Sequence, residues 1–231
     1  MRPSAPEWRP PSLRRGWLEV ITIVLLIEAG GVVGSLTGFL PAVPIGSITL
    51  PLVAATLFMR REGVRWLELA FPARPSAAAI LAYAALALLT AVGMTMLVSF
   101  AIQPLGLPGP DLTAFVLLIE GNLRMYLWML VPVCWGSAAI GEELLVRGFL
   151  QHRLTGMTGR GTGVVLQALI FAAAHFYQGL SGVIMVFVIG LVFGLVYQRS
   201  RNLLPLILAH GLIDTFSMTA IYLGRADLLT Y

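Results

Sequence analysis

The chain has 231 residues, of which 58% are hydrophobic and 11% are charged, whereas soluble domains typically carry about 25% charged residues. Its mean hydropathy of +0.88 therefore indicates a membrane protein and excludes an ordinary soluble domain. The formal net charge is +4, but every basic residue is Arg and stands between apolar runs. This pattern is typical of membrane topology and argues against a nucleic-acid partner.

Seven apolar segments are predicted to form helices that enter the bilayer. They are residues 17–40, 45–59, 76–102, 125–140, 163–177, 182–197 and 203–223. Several are shorter than the ~20 residues that a spanning helix needs, which is typical of helices that end around a water-accessible cavity. Residues 112–118 are a candidate for an eighth, interfacial or re-entrant, element. Residues 60–74 are predicted to form a cytoplasmic interfacial helix.

The arginines predict the orientation of the chain, because basic residues collect in cytoplasmic loops. With the N-terminus inside, the predicted inner segments hold every arginine except Arg124 and Arg225. Arg2 and Arg9 then belong to a cytoplasmic N-terminal segment, residues 1–16, and the C-terminus lies outside. We expect residues 1–231 to form a single transmembrane domain.

Two adjacent carboxylates, Glu142 and Glu143, stand near the cytoplasmic end of the fourth segment. A charge at membrane depth costs about 2.5–3.5 kcal/mol, so such groups normally face a cavity or a partner. If the helix continues to Arg147, Glu143 and Arg147 are one turn apart in the favourable acid-first order and should pair. Glu142 lies about 100° round the helix with less compensation, which makes it the better candidate for a general base.

Two of the three histidines lie inside other apolar segments. His175 follows a run of three alanines in the fifth segment, and His210 stands one helical turn before Asp214 in the seventh. Asp214 is therefore placed to orient the His210 imidazole or to join it as a ligand. The alanine run and Gly211 favour close approach of helices. Each feature alone has an ordinary structural explanation, but their combination predicts three helices that meet at one polar site.

Other polar residues are weaker candidates for chemistry. His152 precedes Arg153 in a predicted cytoplasmic loop and is expected to be solvated. Glu28 lies inside the first span, where packing against a polar group and lining a cavity are both open. Cys134 is expected to be a buried small hydrophobe, and as the only cysteine it excludes an internal disulfide.

These motifs resemble those of the CAAX-type intramembrane endopeptidases, also called the CPBP or Abi family. The family pattern EExxxR, FxxxH and HxxxN or HxxxD on successive helices is similar to Glu142 to Arg147, Phe171 to His175 and His210 to Asp214. The resemblance covers about residues 125–216, the expected catalytic region. It implies an all-α polytopic membrane protein, a bundle of seven or eight transmembrane helices with a polar cavity open to the cytoplasm. We expect the protein in a bacterial or archaeal plasma membrane.

The resemblance implies hydrolysis of a peptide bond in a membrane protein or lipidated peptide. Glu142 and His175 would activate water, while His210 and Asp214 would stabilise the tetrahedral oxyanion. An ionised Asp214 would repel that charge, so a protonated Asp214, or one that holds His210, is the alternative. The family pattern fits either no cofactor or one divalent metal such as zinc, held by Glu142, His175 and His210. The lack of an HExxH motif favours the metal-free route.

Two other functions fit the same residues. A buried Glu and His cluster would serve as the proton or ion relay of a membrane transporter or channel. Against this, the sequence shows no inverted repeat of the transporter kind, and its charges gather toward one membrane face. The other alternative is a catalytically silent, immunity-type binding protein, which the intact motif set disfavours. The expected partners are the lipid bilayer and a membrane-associated substrate.

Overall fold

A computed structural model describes residues 12–229, a chain of helices joined by short turns. Arg2 and Arg9, which the topology prediction places in the cytoplasm, lie outside the described residues. Residues 12–229 contain no strand. The predicted all-α class is therefore confirmed for this part of the chain.

Ten α-helices, one π-helix and three short 3-10 helices follow one another along residues 12–229. The α-helices are α1 (Leu13–Ser35), α2 (Ala42–Arg61), α3 (Trp66–Ala70), α4 (Ala77–Ile102), α5 (Thr113–Ile119), α6 (Leu123–Trp128), α7 (His152–Thr158), α8 (Arg160–Ala173), α9 (Gly179–Ser200) and α10 (Leu204–Tyr222). The π-helix is Met129–Gln151, and the 3-10 helices are Gln103–Leu105, Phe176–Gln178 and Ala226–Leu229.

Six helices of the described chain are long and apolar enough to cross a membrane. They are Leu13–Ser35, Ala42–Arg61, Ala77–Leu105, Leu123–Thr158, Phe176–Ser200 and Leu204–Tyr222. The predicted fifth span corresponds to α8, which has only 14 residues. At 1.5 Å per residue, α8 is about 21 Å long, shorter than the ~30 Å apolar core of a bilayer. The protein is integral to the membrane, with six helices of spanning length.

Two predicted elements differ in extent from those observed. The interfacial helix expected at residues 60–74 is only the five-residue α3, because Gly63 adopts a positive φ of 70° and ends the preceding turn. The fourth segment, expected to end at residue 140, instead continues as one helical rod, Leu123–Thr158. Its middle part is the π-helix, whose backbone hydrogen bonds span five residues instead of four and which is a rare form frequent at functional sites. A short helix, α5, lies where the candidate eighth element was expected at residues 112–118, and its interfacial or re-entrant placement stays a prediction.

The continuation of the rod makes the prediction for His152 and Arg153 wrong. His152 is half-buried at the start of α7, and Arg153 is buried. Arg153 is held by Glu19, with Nε 3.0 Å from Oε2, and by Glu62, with Nη2 2.7 Å from Oε2. Arg15 pairs with Glu19 from the other side, at 2.9 Å. These charges replace the solvent expected in a loop, and the network ties α1 and the end of α2 to the rod.

Helices α1 and α2 pack closely at small residues. A Cβ on Gly30 would lie 2.1 Å from the carbonyl oxygen of Gly46 in α2, so the two backbones touch.

Helices α4, α9 and α10 share a core that includes Phe193 and Leu206. Large apolar side chains on the outer faces of the spans remain exposed, as expected for lipid contact. Examples are Leu25, Leu89, Phe100 and Leu195.

Candidate active site

His210, in α10, lies at the centre of a cluster of carboxylates. Its Nδ1 atom is 2.9 Å from Oε1 of Glu143, and its Nε2 atom is 3.7 Å from Oδ2 of Asp214 and 3.9 Å from Oε2 of Glu142. The π-helix supplies both glutamates, and α10 supplies the histidine and the aspartate. The two helices pack directly on each other. The structure therefore brings four of the predicted site residues together.

The contact with Glu143 fixes how His210 is used. An ionised carboxylate only accepts hydrogen bonds, so the Nδ1–H of His210 donates to Glu143. The Nε2 atom is then the part of the ring that faces Glu142 and Asp214. The His210 side chain is 11% exposed, and those of Glu142 and Asp214 are 15% and 25% exposed. The Nε2 edge of the imidazole thus faces the two carboxylates of the cluster that retain some exposure.

The predicted pair of Glu143 and Arg147 is confirmed. Nη1 of Arg147 donates to Oε1 of Glu143 over 2.9 Å, and neither side chain has any exposed surface. The guanidinium also lies over the rings of Phe171, at 4.4 Å, and Phe193, at 5.3 Å. Attraction between the cation and these aromatic faces offsets part of the hydration free energy that the guanidinium loses on burial. Glu143 is consequently anchored from both sides, by Arg147 and by His210.

Glu143 forms an ion pair with Arg147, whereas Glu142 has no ion pair with an arginine among the described residues. The Oε2 atoms of both glutamates are buried and have no hydrogen-bond partner among the described residues. Buried carboxylate oxygens are normally satisfied, so an exception calls for an explanation in terms of function or ligand. Glu142 thus offers an acceptor atom to a substrate or water molecule, beside Nε2 of His210.

His175 follows the last turn of α8 and does not bond directly to this cluster. Its Nδ1 atom is 2.8 Å from the carbonyl oxygen of Phe171, which can only accept, so Nδ1–H donates and Nε2 keeps its lone pair. The His175 ring stands edge-on to Phe171 at 4.8 Å, and the Phe171 ring stands edge-on to His210 at 6.4 Å. The Phe171 ring therefore lies against both imidazoles.

One family model matches the part of the chain that contains this cluster. The family model described as type II CAAX prenyl endopeptidase Rce1-like matches residues 124–216. These residues form an Rce1-like region. The match confirms the resemblance found in the motifs, and the family is one of proteases. No curated protein and no solved structure matches the chain.

The Rce1-like region runs from α6 to α10 and so contains every residue of the cluster. Within residues 12–229, no group of three or more His, Cys, Asp or Glu side chains is arranged to hold a metal ion. The side chains present do not fit the predicted three-ligand metal site.

Sequence reasoning missed several residues that shape the Rce1-like region. A Cβ on Gly211 would lie 2.6 Å from the ring of Trp135, which confirms the close approach expected at this glycine but adds its partner. Nε1 of Trp135 also donates to Oγ1 of Thr215 over 3.1 Å. A tryptophan at an apolar helix position gives no signal that separates such a contact from a membrane anchor. Cys134, the next residue back, is buried as expected.

Proposed function

We propose that this protein is an intramembrane endopeptidase of the CAAX type that hydrolyses a peptide bond in a membrane protein or lipidated peptide. The observation that carries the proposal is the pairing of an unpartnered buried carboxylate oxygen on Glu142 with Nε2 of His210, 3.9 Å away. A base without a partner, next to a proton donor or acceptor, suits the activation of water. The match of the surrounding segment to a protease family supports the same reaction class.

In the proposed reaction, Glu142 accepts a proton from water and His175, through its free Nε2, orients the same water. The water oxygen bonds to the carbonyl carbon, and the carbonyl oxygen becomes an oxyanion. His210, when protonated, donates to that oxyanion through Nε2–H while its Nδ1–H remains on Glu143. The C–N bond then breaks as Glu142 returns its proton to the leaving nitrogen, so no oxidant or other reactant is needed.

The excess of negative charge in the cluster favours a protonated His210. The cluster contains three carboxylates, on Glu142, Glu143 and Asp214, and only one permanent cation, on Arg147. An imidazolium between these carboxylates reduces their mutual repulsion. In this account Glu143, Arg147 and Asp214 are positioning residues, and Asp214 holds the Nε2 edge of His210 instead of donating to the oxyanion.

The proposal includes the orientation of the site. The placement of the arginines favours a cytoplasmic opening, a cytoplasmic N-terminus and an outer C-terminus. Six crossings would place both ends of the chain on the same side of the membrane, whereas the predicted topology places them on opposite sides. The shorter α8 would therefore be the seventh crossing, reaching the required depth because it ends inside the protein near His175 and not in lipid.

The test compares the parent protein with Glu142→Gln and Glu28→Gln in lipid nanodiscs. Each is incubated with a solubilised membrane proteome, and new peptide termini are counted by mass spectrometry. Glu28 is an exposed carboxylate of α1 and serves as the matched control. We expect the parent and Glu28→Gln to generate the same new termini and Glu142→Gln to generate none. Retained cleavage by a folded Glu142→Gln protein would refute the assignment of the base.

The alternatives give different results in the same set of variants. A transporter or ion relay would produce solute or proton flux in liposomes and no new termini from the parent. A silent binding protein would keep its biological phenotype in Glu142→Gln. Cleavage that is lost with a chelator and restored by zinc would contradict the metal-free route. The proposal expects cleavage that a chelator does not change.

A further inference from the structure

Tyr177 lies beside the proposed site but belongs to none of its motifs. It stands on the 3-10 turn Phe176–Gln178 that joins α8 to α9, two residues after His175. Its ring is 5.9 Å from the His175 ring, at an angle of 32°. On the other side it meets Phe115 of α5, with ring centroids 6.1 Å apart. Tyr177 is thus held between a proposed catalytic histidine and a separate helix.

The hydroxyl of Tyr177 is arranged to give a hydrogen bond. Nε2 of Gln178 donates to this hydroxyl over 3.1 Å, which uses one of its lone pairs and leaves its proton. Among residues 12–229, no acceptor for that proton lies within hydrogen-bond distance. The ring of Tyr177 lies beside that of His175, so the side chain borders the proposed site. The side chain is 57% exposed and is therefore open to a substrate.

The chemistry of the site needs such a donor. A tetrahedral oxyanion is stabilised by hydrogen-bond donors fixed before the reaction, and each donor contributes about 10²–10³ in rate. The family pattern allows Asn or Asp at the last motif position, and this chain has Asp214. An ionised carboxylate has no proton to donate. Of the two residues that the resemblance assigns to the oxyanion, His210 and Asp214, only His210 would then be a donor.

We propose that the hydroxyl of Tyr177 is a second donor to the oxyanion, in the place that an amide at Asp214 would take. This inference rests on the proposed endopeptidase function. The neutral phenol donates without adding charge to a cluster that already holds three carboxylates. The bond from Gln178 directs the hydroxyl proton away from Gln178 and toward the substrate. Tyr177 is then a catalytic residue that the motifs do not reveal.

The test uses Tyr177→Phe, with Tyr126→Phe as the matched control. The Tyr126 hydroxyl bonds to Oγ1 of Thr219 at 3.0 Å, so the control also loses a hydroxyl and one hydrogen bond. The probe is a synthetic peptide that spans the bond cleaved fastest by the parent in a membrane proteome. We expect Tyr177→Phe to lower kcat about 10²- to 10³-fold with KM changed less than about threefold, and Tyr126→Phe to match the parent.

A second variant separates a lost donor from a damaged fold. Adding Asp214→Asn to Tyr177→Phe supplies an amide donor and should recover roughly tenfold in kcat, whereas the same change in the parent should give no such gain. Unchanged kcat in Tyr177→Phe, or an equal effect of Asp214→Asn in both backgrounds, overturns this inference alone. Absence of cleavage by the parent protein overturns the proposed function and this inference together.

Discussion

The buried pair of Arg147 and Glu143 makes the account testable without knowledge of the substrate. Replacing Arg147 by Met keeps most of the side-chain volume but removes the cation. The Glu143 carboxylate would then remain fully buried with only His210 as a partner, since its 2.9 Å contact with Arg147 is lost. Breaking a buried ion pair by removing one partner typically costs about 3–5 kcal/mol. We expect Arg147→Met to lower the free energy of unfolding by about this amount.

The free energy can be measured by titrating the protein from dodecyl maltoside into SDS micelles and following tryptophan fluorescence. The matched control is Arg225→Met, because Arg225 also pairs with a carboxylate, Asp227 at 3.0 Å, but both side chains are more than half exposed. We expect the control to leave the unfolding curve almost unchanged.

A double variant decides whether the uncompensated charge is the cause. Glu143→Gln combined with Arg147→Met removes both charges, so its loss of stability should be smaller than the sum of the two single losses by about 1–3 kcal/mol. Losses that simply add, or an Arg147→Met protein within about 1 kcal/mol of the parent, would refute the reasoning.

Two further substitutions probe how the helices are held together. Gly211→Ala places a methyl 2.6 Å from the Trp135 ring and should lower the unfolding free energy by about 1–3 kcal/mol. The control Gly93→Ala, where a methyl would meet no atom within 4 Å, should raise the unfolding free energy by up to about 1 kcal/mol. Equal effects of the two substitutions in the same SDS titration would contradict the close packing of Gly211 on Trp135. Arg153→Gln leaves Glu19 buried without its 3.0 Å partner and should lower the thermal midpoint clearly, whereas an unchanged midpoint would show that the network between α1 and the rod contributes nothing to stability.

Local features of the site were predictable from the sequence. Glu143 and Arg147 are close in the chain, so either an α-helix or a π-helix places them on the same side. The acid-first order also favours their contact. The same closeness in the chain holds for His210 and Asp214. The unequal environments of Glu142 and Glu143 also follow from adjacency, because neighbouring helix positions face different directions.

Contacts between distant segments were not predictable from one sequence. Nothing in the local pattern indicates that His210 donates to Glu143, 67 residues earlier, or that the Phe171 ring lies against both His175 and His210. The sequence predicts a loop at Arg153 because a basic residue after an apolar run normally marks a membrane boundary. Its partner Glu19 is 134 positions away, and only the packing of α1 on the rod makes its burial possible.

The central claim is that water, activated at Glu142, becomes part of the product. The most direct test is cleavage in water enriched in oxygen-18, with the new C-terminal carboxyl groups examined by mass spectrometry. We expect one oxygen-18 atom in each new carboxyl group made by the parent protein, and no labelled terminus with Glu142→Gln. Equal labelled termini from both proteins, or none from the parent, would contradict this claim.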